Sequence, residues 1–359
     1  MTLSETCEIK PGYVISRIIR GGWQLAGGHG AVERSRVTQD LAAFYDAGVT
    51  TFDCADIYTG VEEMIGDFRA TMLQSRGPQA LDRLKVHTKF VPDIDLLSTI
   101  TAQDVRRIID RSLRRLRMER LDLVQFHWWD YTQPRYVDTA LHLRDLQAEG
   151  KIHLISGTNF DASHVQQIAD AGVTFSTVQV QYSLLDHRPA GRLTETCRQL
   201  GTRLLCYGTL AGGFLSESWL GKAEPTGVLT NRSRVKYKLI IDEFGGWDLF
   251  QSLLETLSEV AERHGASIAN VASRYVLELP LVAGVIVGAS HAGHLEDTIR
   301  LGTLELAAQD RDAIDVILAQ RRGPDGDVYA LERDRSGPHG AIMKYNLGDA
   351  PGSKHPAEP

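Results

Sequence analysis

Cysteine is scarce and dispersed: Cys7, Cys54, Cys197 and Cys206 are the only four in 359 residues, and no two form a CxxC pair. That spacing argues against a zinc ribbon or a disulfide framework, so no metal site is expected and a reducing, cytoplasmic setting is. No apolar run reaches the roughly 18 residues that a membrane span needs. The amino-terminal MTLSETCEIK is polar and acidic with no apolar stretch behind it, so no secretory signal is expected. Long basic runs are missing too. The formal net charge is −7 with both signs interspersed, which argues against nucleic acid or an anionic membrane as partner. The densest basic stretch, Arg106, Arg107, Arg111, Arg114, Arg115 and Arg117, has helical spacing and reads as a solvated helix face. Gly21-Gly22 and Gly27-Gly28 form no GxGxxG between a strand and a helix, so there is no Rossmann fingerprint.

What the chain does have is repetition. Short apolar runs alternate with longer amphipathic ones, the pattern of βα units. Strands are expected at 18–23, 50–53, 84–90, 121–127, 152–157, 177–181, 203–207 and 282–287, which makes the fold class α/β and the architecture a (β/α)8 TIM barrel. A helix capped by Thr101 with Asp104 in the reciprocal position carries Val105, Ile108, Ile109, Leu113 and Leu116 on one stripe. Another carries Phe250, Leu253, Leu254, Leu257, Val260 and Ala261 up to a stop at His264-Gly265. Residues 208–249 are Gly-rich and polar and read as a long loop after strand seven. Residues 323–359 have little periodicity and read as a carboxyl-terminal extension to a single catalytic domain at 1–322. Tyr329, Met343 and Tyr345 would anchor part of this tail over the barrel mouth against substrate. Residues 351–359 have no such anchor and are expected to be disordered.

Active sites of such barrels gather at the carboxyl ends of the strands. Here those ends carry Asp53, Lys89, His127, Asn159, Gln181 and Tyr207. A barrel has no structural need for so many polar groups at one face. Tyr58 follows Asp53 closely; an ordinary tyrosine titrates near 10 and is a weak acid at neutral pH. An ammonium beside it would favour the phenolate and lower that value, and Lys89 can supply one, held by Asp53. His127 can hydrogen-bond a substrate oxygen. Together these four suit proton donation during carbonyl reduction. Asp53 and Lys89 could instead be a buried structural ion pair, and a lone His127 a satisfied core histidine. Cys54 reads as a small core residue and His87 as structural.

In order, the segments Asp53-x-Ala55-x-x-Tyr58, His87-Thr88-Lys89-Phe90, Leu123-Val124-Gln125-Phe126-His127, Gly157-Thr158-Asn159-Phe160, Val178-Gln179-Val180-Gln181-Tyr182 and Val285-Ile286-Val287-Gly288-Ala289-Ser290 resemble the aldo-keto reductase superfamily. The resemblance is collinear from about residue 18 to residue 320. It implies a catalytic tetrad of Asp53, Tyr58, Lys89 and His127 and a cofactor that is NADP(H) or NAD(H). Asn159 and Gln181 would hold the nicotinamide carboxamide and Tyr207 would stack on the ring. Trp23, Gly208 and Leu210 would add cofactor contacts, and Gly288, Ser290, His294, Asp297 and Thr298 would take the adenosine end. Trp128 and Trp129 would line the space for a small carbonyl or alcohol substrate. Residues 288–298 lack the Lys or Arg that relatives place against the 2′-phosphate of NADP, so a weakened preference for that phosphate is expected. Two further readings share the barrel: a cofactor-sensing regulatory subunit, which an intact His127 disfavours, and a reductase specialised for a natural-product intermediate.

Overall fold

A computed structural model of the chain describes residues 5–26, 34–227, 229, 231–289 and 291–347. It opens with an antiparallel hairpin of β1 (Thr6–Lys10) and β2 (Tyr13–Ser16) that no sequence expectation covered. Its signal is short: two alternating segments around Pro11-Gly12, with Gly12 at φ 77°, where a side chain would be strained. Ile9, Tyr13 and Ile15 pack on Ile19, Leu123, Leu205 and Ala283, so the hairpin plugs the amino-terminal end of a barrel.

Eight parallel strands close that barrel: β3 (Ile18–Gly21), β4 (Thr51–Asp53), β5 (Lys85–Phe90), β6 (Leu121–Phe126), β7 (Ile152–Thr158), β8 (Thr177–Gln181), β9 (Arg203–Tyr207) and β10 (Val282–Gly288), which returns to pair with β3. All eight fall where the apolar runs place them. The first is shorter than expected, because Trp23 begins a short 3-10 turn instead of extending the strand.

Helices α1 (Arg34–Asp46), α2 (Val61–Arg76), α3 (Ala102–Leu116), α4 (Tyr136–Ala148), α5 (Ala162–Asp170) and α6 (Arg192–Leu200) alternate with strands β3 to β9. In α3, Thr101 and Asp104 form the expected capping box and the whole apolar stripe is buried, each such side chain being worth roughly 1.5–3 kcal/mol. The arginine face of α3 is only partly solvated, contrary to expectation. Arg106 and Arg117 pair with Glu149 and Asp67 in the open. Arg111 and Arg115 turn inward, 3.6 and 3.5 Å from the buried carboxylates of Asp56 and Glu62. Those acids lie behind the Tyr58 turn, where burial raises both of their pKa values and the arginines offset this only in part.

Residues 208–249 are not simply a loop. They contain α7 (Arg232–Phe244), capped by the Asn231 side chain and burying Tyr237, Ile240, Ile241 and Phe244 on one stripe. Interleaved lysines and arginines mask that stripe in the sequence. Helices α8 (Trp247–His264) and α9 (Ile268–Leu277) precede β10, and α10 (Leu295–Leu301) and α11 (Ala308–Leu318) come after it. Two single-turn helices, α12 (Ala330–Arg333) and α13 (Pro338–Ala341), carry the tail back across the barrel mouth. The expectation of disorder at 351–359 lies outside the described residues. No helix among the described residues is long and apolar enough to cross a membrane.

Candidate active site

The ends of β4 and β5 and the residue after β6 bring Asp53, Lys89 and His127 to one cleft of about 530 Å³, with Tyr58 arriving from the turn before α2. Lys89 Nζ lies 2.5 Å from Asp53 Oδ2 and donates to the Cys54 carbonyl at 2.9 Å. Its ammonium sits 5.1 Å from the centre of the Tyr58 ring. The other Asp53 oxygen accepts from Gln125 and from Gln179, both at 2.7 Å. These donors fix the carboxylate, and the carboxylate fixes the lysine.

The electrostatics differ from the expectation at one point. Burial of Tyr58 raises its pKa by more than Lys89 lowers it, so the net displacement is above 10. Desolvating a phenolate costs more here than one already paired ammonium returns. Tyr58 thus rests as a neutral phenol, loaded to donate. Burial pulls Lys89 down, but Asp53 and then Tyr58 outweigh it and hold the lysine above its usual 10.5. Burial, then the charge of Arg333, keeps His127 neutral with a pKa of about 3. His127 Nδ1 donates to the Thr158 carbonyl at 3.1 Å, which leaves Nε2 as an acceptor with no partner among the described residues. It is therefore suited to receive a hydrogen bond from a hydroxyl, and less suited to donate to a carbonyl oxygen.

Of the expected cofactor residues, Trp23, Asn159, Tyr207, Gly208, Leu210 and Gly288 line the cleft. Trp23 meets Tyr58 edge-on, with ring centres 5.0 Å apart. Asn159 stands at φ 60°, and its Oδ1 accepts from the Tyr207 hydroxyl at 2.9 Å, which leaves its amide NH2 for a ligand. Gly208 is required as glycine: at φ 77° any Cβ would lie 2.2 Å from the Tyr237 hydroxyl. Gln181 shares a strand face with Gln179; Asp186 in the following turn takes its amide at 2.7 Å, while its Oε1 is buried with no partner among the described residues, and Gln179, whose amide is held by Asp53, lines the cleft. His294, Asp297 and Thr298 lie off the cleft. His294 stacks on His291, Asp297 accepts from Ser267 at 3.0 Å, and the Thr298 hydroxyl donates to the His294 carbonyl. Ser290 lies outside the described residues. Of the two tryptophans, Trp129 lines the cleft. Trp128 is buried in the core and its indole donates to the carbonyls of Asp130 and Gln133, so it is structural.

The tail closes the site. Tyr329 meets His127 edge-on at 5.6 Å, and Tyr345 meets Trp129 at 5.2 Å. Arg188 holds Glu332 through two bonds of 3.0 and 3.2 Å while also gripping Asp186. Met343, with Lys344 and Leu347, reaches the cleft as well. Sequence reasoning missed Gln24, Asn231, Arg232, Ser233, Lys236 and Tyr237. Five of these come from α7 and its cap, which reach the cleft only because the insertion folds back.

The cleft suits a dinucleotide. Among its described lining residues Lys89, Arg232, Lys236 and Lys344 face a single carboxylate, Asp53, in a chain of net charge −7. Gln24 Oε1, in the cleft lining, is buried with no hydrogen-bond partner among the described residues. Known proteins point the same way. The model of the aldo/keto reductase family matches residues 17–319. An NADH-specific methylglyoxal reductase of Escherichia coli is 23% identical over 83% of this chain and 93% of its own length. The chloroplastic pyridoxal reductase of Arabidopsis thaliana is 25% identical over 88% of this chain and 84% of its own. Among solved structures, a glycerol dehydrogenase from Gluconobacter oxydans superposes with a TM-score of 0.73 at 23% identity, covering 90% of this chain and 98% of that one.

Proposed function

The chain belongs to the aldo/keto reductase family and is an NAD(P)H-dependent oxidoreductase, and from that premise we propose that it reduces an aldehyde or ketone with Tyr58 as the proton donor. The observation that carries this reading is the clamp on Lys89, whose ammonium is fixed by Asp53 and lies against the Tyr58 ring. When bound, NAD(P)H supplies the hydride that the carbonyl carbon accepts. Tyr58 donates its phenolic proton to the carbonyl oxygen as charge develops there, and Lys89 stabilises the phenolate left behind. His127 Nε2 accepts from the hydroxyl so formed and holds the alcohol in place. Asn159 offers its amide NH2 and Tyr207 its ring to the nicotinamide. The main chain at Gly208 and Leu210, with Arg232 beside it, would meet phosphate, and Gly288 the adenosine side.

Trp129, Tyr329 and Met343 form the substrate side of this reading and exclude water when the tail is down. The test is a panel of aldehydes, ketones and alcohols, beginning with methylglyoxal, followed by nicotinamide absorbance with both cofactors. Turnover abolished by Tyr58→Phe is expected. No turnover across the panel in either direction would overturn the proposal.

A further inference from the structure

We propose, resting on the reductase reading above, that the substrate carries an anionic group, a carboxylate or a phosphate, and that Lys236 binds it at the tail side of the cleft. Lys236 stands on α7 with its ammonium 5.4 Å from the ring centre of Tyr207, 5.6 Å from Tyr237 and 5.7 Å from Tyr329. Such a cage stabilises a cation in part but satisfies none of its N–H donors. Its ion-pair partner among the described residues is Glu332, at 3.7 Å, longer than a hydrogen bond, and Asp186 acts on it from further away. Both oxygens of Glu332 are already taken by Arg188. An ammonium has three donors, and Lys236 spends none of them within hydrogen-bonding distance of a described protein acceptor. Its side chain is only 16% exposed, and the surface it does expose lines the cleft.

Position decides what this cation serves. Tyr329 touches both Lys236 and His127, so the ammonium lies one aromatic ring from the reacting end of the cleft. Its counter-ion belongs to the tail, the element that covers substrate. Lys89 is no competitor for an anion, because Asp53 neutralises it. Arg232, exposed and one turn earlier on α7 beside the 208–213 loop, is better placed for cofactor phosphate. A substrate anion would thus complete a half-buried cation that the protein leaves short of acceptors.

The experiment compares matched substrates on the NADPH-loaded enzyme: benzaldehyde with 4-carboxybenzaldehyde, and glyceraldehyde with glyceraldehyde 3-phosphate. A charge-assisted bond should favour the anionic member of at least one pair by roughly tenfold or more in kcat/KM, mainly through KM. Which pair responds identifies carboxylate or phosphate. Lys236→Met should bring that ratio close to one, and Lys236→Arg should retain most of it. The ratio is insensitive to a general loss of folded enzyme. No preference in either pair, or a preference surviving Lys236→Met, overturns the proposal. So does an equal loss of NADPH affinity in Lys236→Met by fluorescence titration, which would assign the cation to the cofactor. If no aldehyde of either kind turns over, the reductase reading itself fails. Benzoate binding to the holoenzyme then still decides the anion site, since it should be lost in Lys236→Met.

Discussion

The guanidinium of Arg333, in the carboxyl-terminal tail, donates to the main-chain carbonyl of Asn159 at 2.8 Å and to that of Trp128 at 3.0 Å. It also lies 4.1 Å from the centre of the Tyr131 ring. Asn159 holds a left-handed backbone conformation that needs external support. The tail therefore does more than border the cleft: it braces the residue proposed to hold the nicotinamide.

Because of that brace, Arg333→Met should weaken NAD(P)H binding by roughly tenfold, the worth of a charge-assisted bond to a buried carbonyl. Deleting residues from 323 onward should raise substrate KM and cofactor Kd together, where the sequence alone suggests an effect mainly on substrate. Fluorescence titration with steady-state kinetics checks both. Cofactor affinity unchanged in both variants would show that the Arg333 contact carries no weight.

Tyr58→Phe removes the proton donor and leaves the cofactor contacts intact. Turnover should fall by about 10²–10⁴-fold or more in single-turnover assays at saturating cofactor. Lys89→Met should be comparably damaging, because it also leaves Asp53 buried with one partner fewer. His127→Ala should lose less, because Nε2 engages the oxygen only once it has become a hydroxyl. Parental turnover in Tyr58→Phe would mean that the acid is another group.

The pH dependence has a definite sign. His127, with a pKa of about 3, stays neutral through the physiological range and contributes no limb near 6.5. Tyr58 lies above 10 and keeps its proton until the solution passes that value. Reduction should be flat from about pH 5 to 9 and decline only above about 10, whereas alcohol oxidation, which needs the phenolate, should climb about tenfold per pH unit over the same range. A reductive limb near pH 6.5 that disappears in His127→Ala would contradict the neutral imidazole.

Cofactor choice should be permissive. Residues 288–298 contain no Lys or Arg, so NADPH and NADH should both bind, with a smaller preference for the 2′-phosphate than in relatives that place a cation there. Parallel titrations decide it, and a preference for NADPH of about a thousandfold or more would be incompatible with a missing cation.

The barrel was legible because burial imposes it locally. Each strand is a run of apolar residues bounded by turns, and each helix repeats its apolar stripe, so periodicity alone reveals eight βα units. The tetrad was legible for a related reason: Asp53, Lys89 and His127 lie at strand ends, where chain position and spatial position coincide. What sequence could not supply is whatever depends on a partner distant along the chain. Gln179 and Gln181 share one strand face, and only the tertiary structure shows that Asp53 takes the amide of the first and Asp186 in the next turn that of the second. Trp128 and Trp129 are adjacent and opposite in fate, because carbonyls of a particular turn capture one indole. The net displacement of Tyr58 is a balance in which desolvation, helped by Asp53 and Cys54, outweighs the Lys89 ammonium, and desolvation is a property of everything packed around the ring. Lys236 and Arg333 join the site from an insertion and a tail whose sequences carry no catalytic signal. Local pattern determined the scaffold and the first candidate catalytic groups; the orientation, charge balance and closure of the cleft were decided by long-range packing, since those energies exist only once distant segments meet.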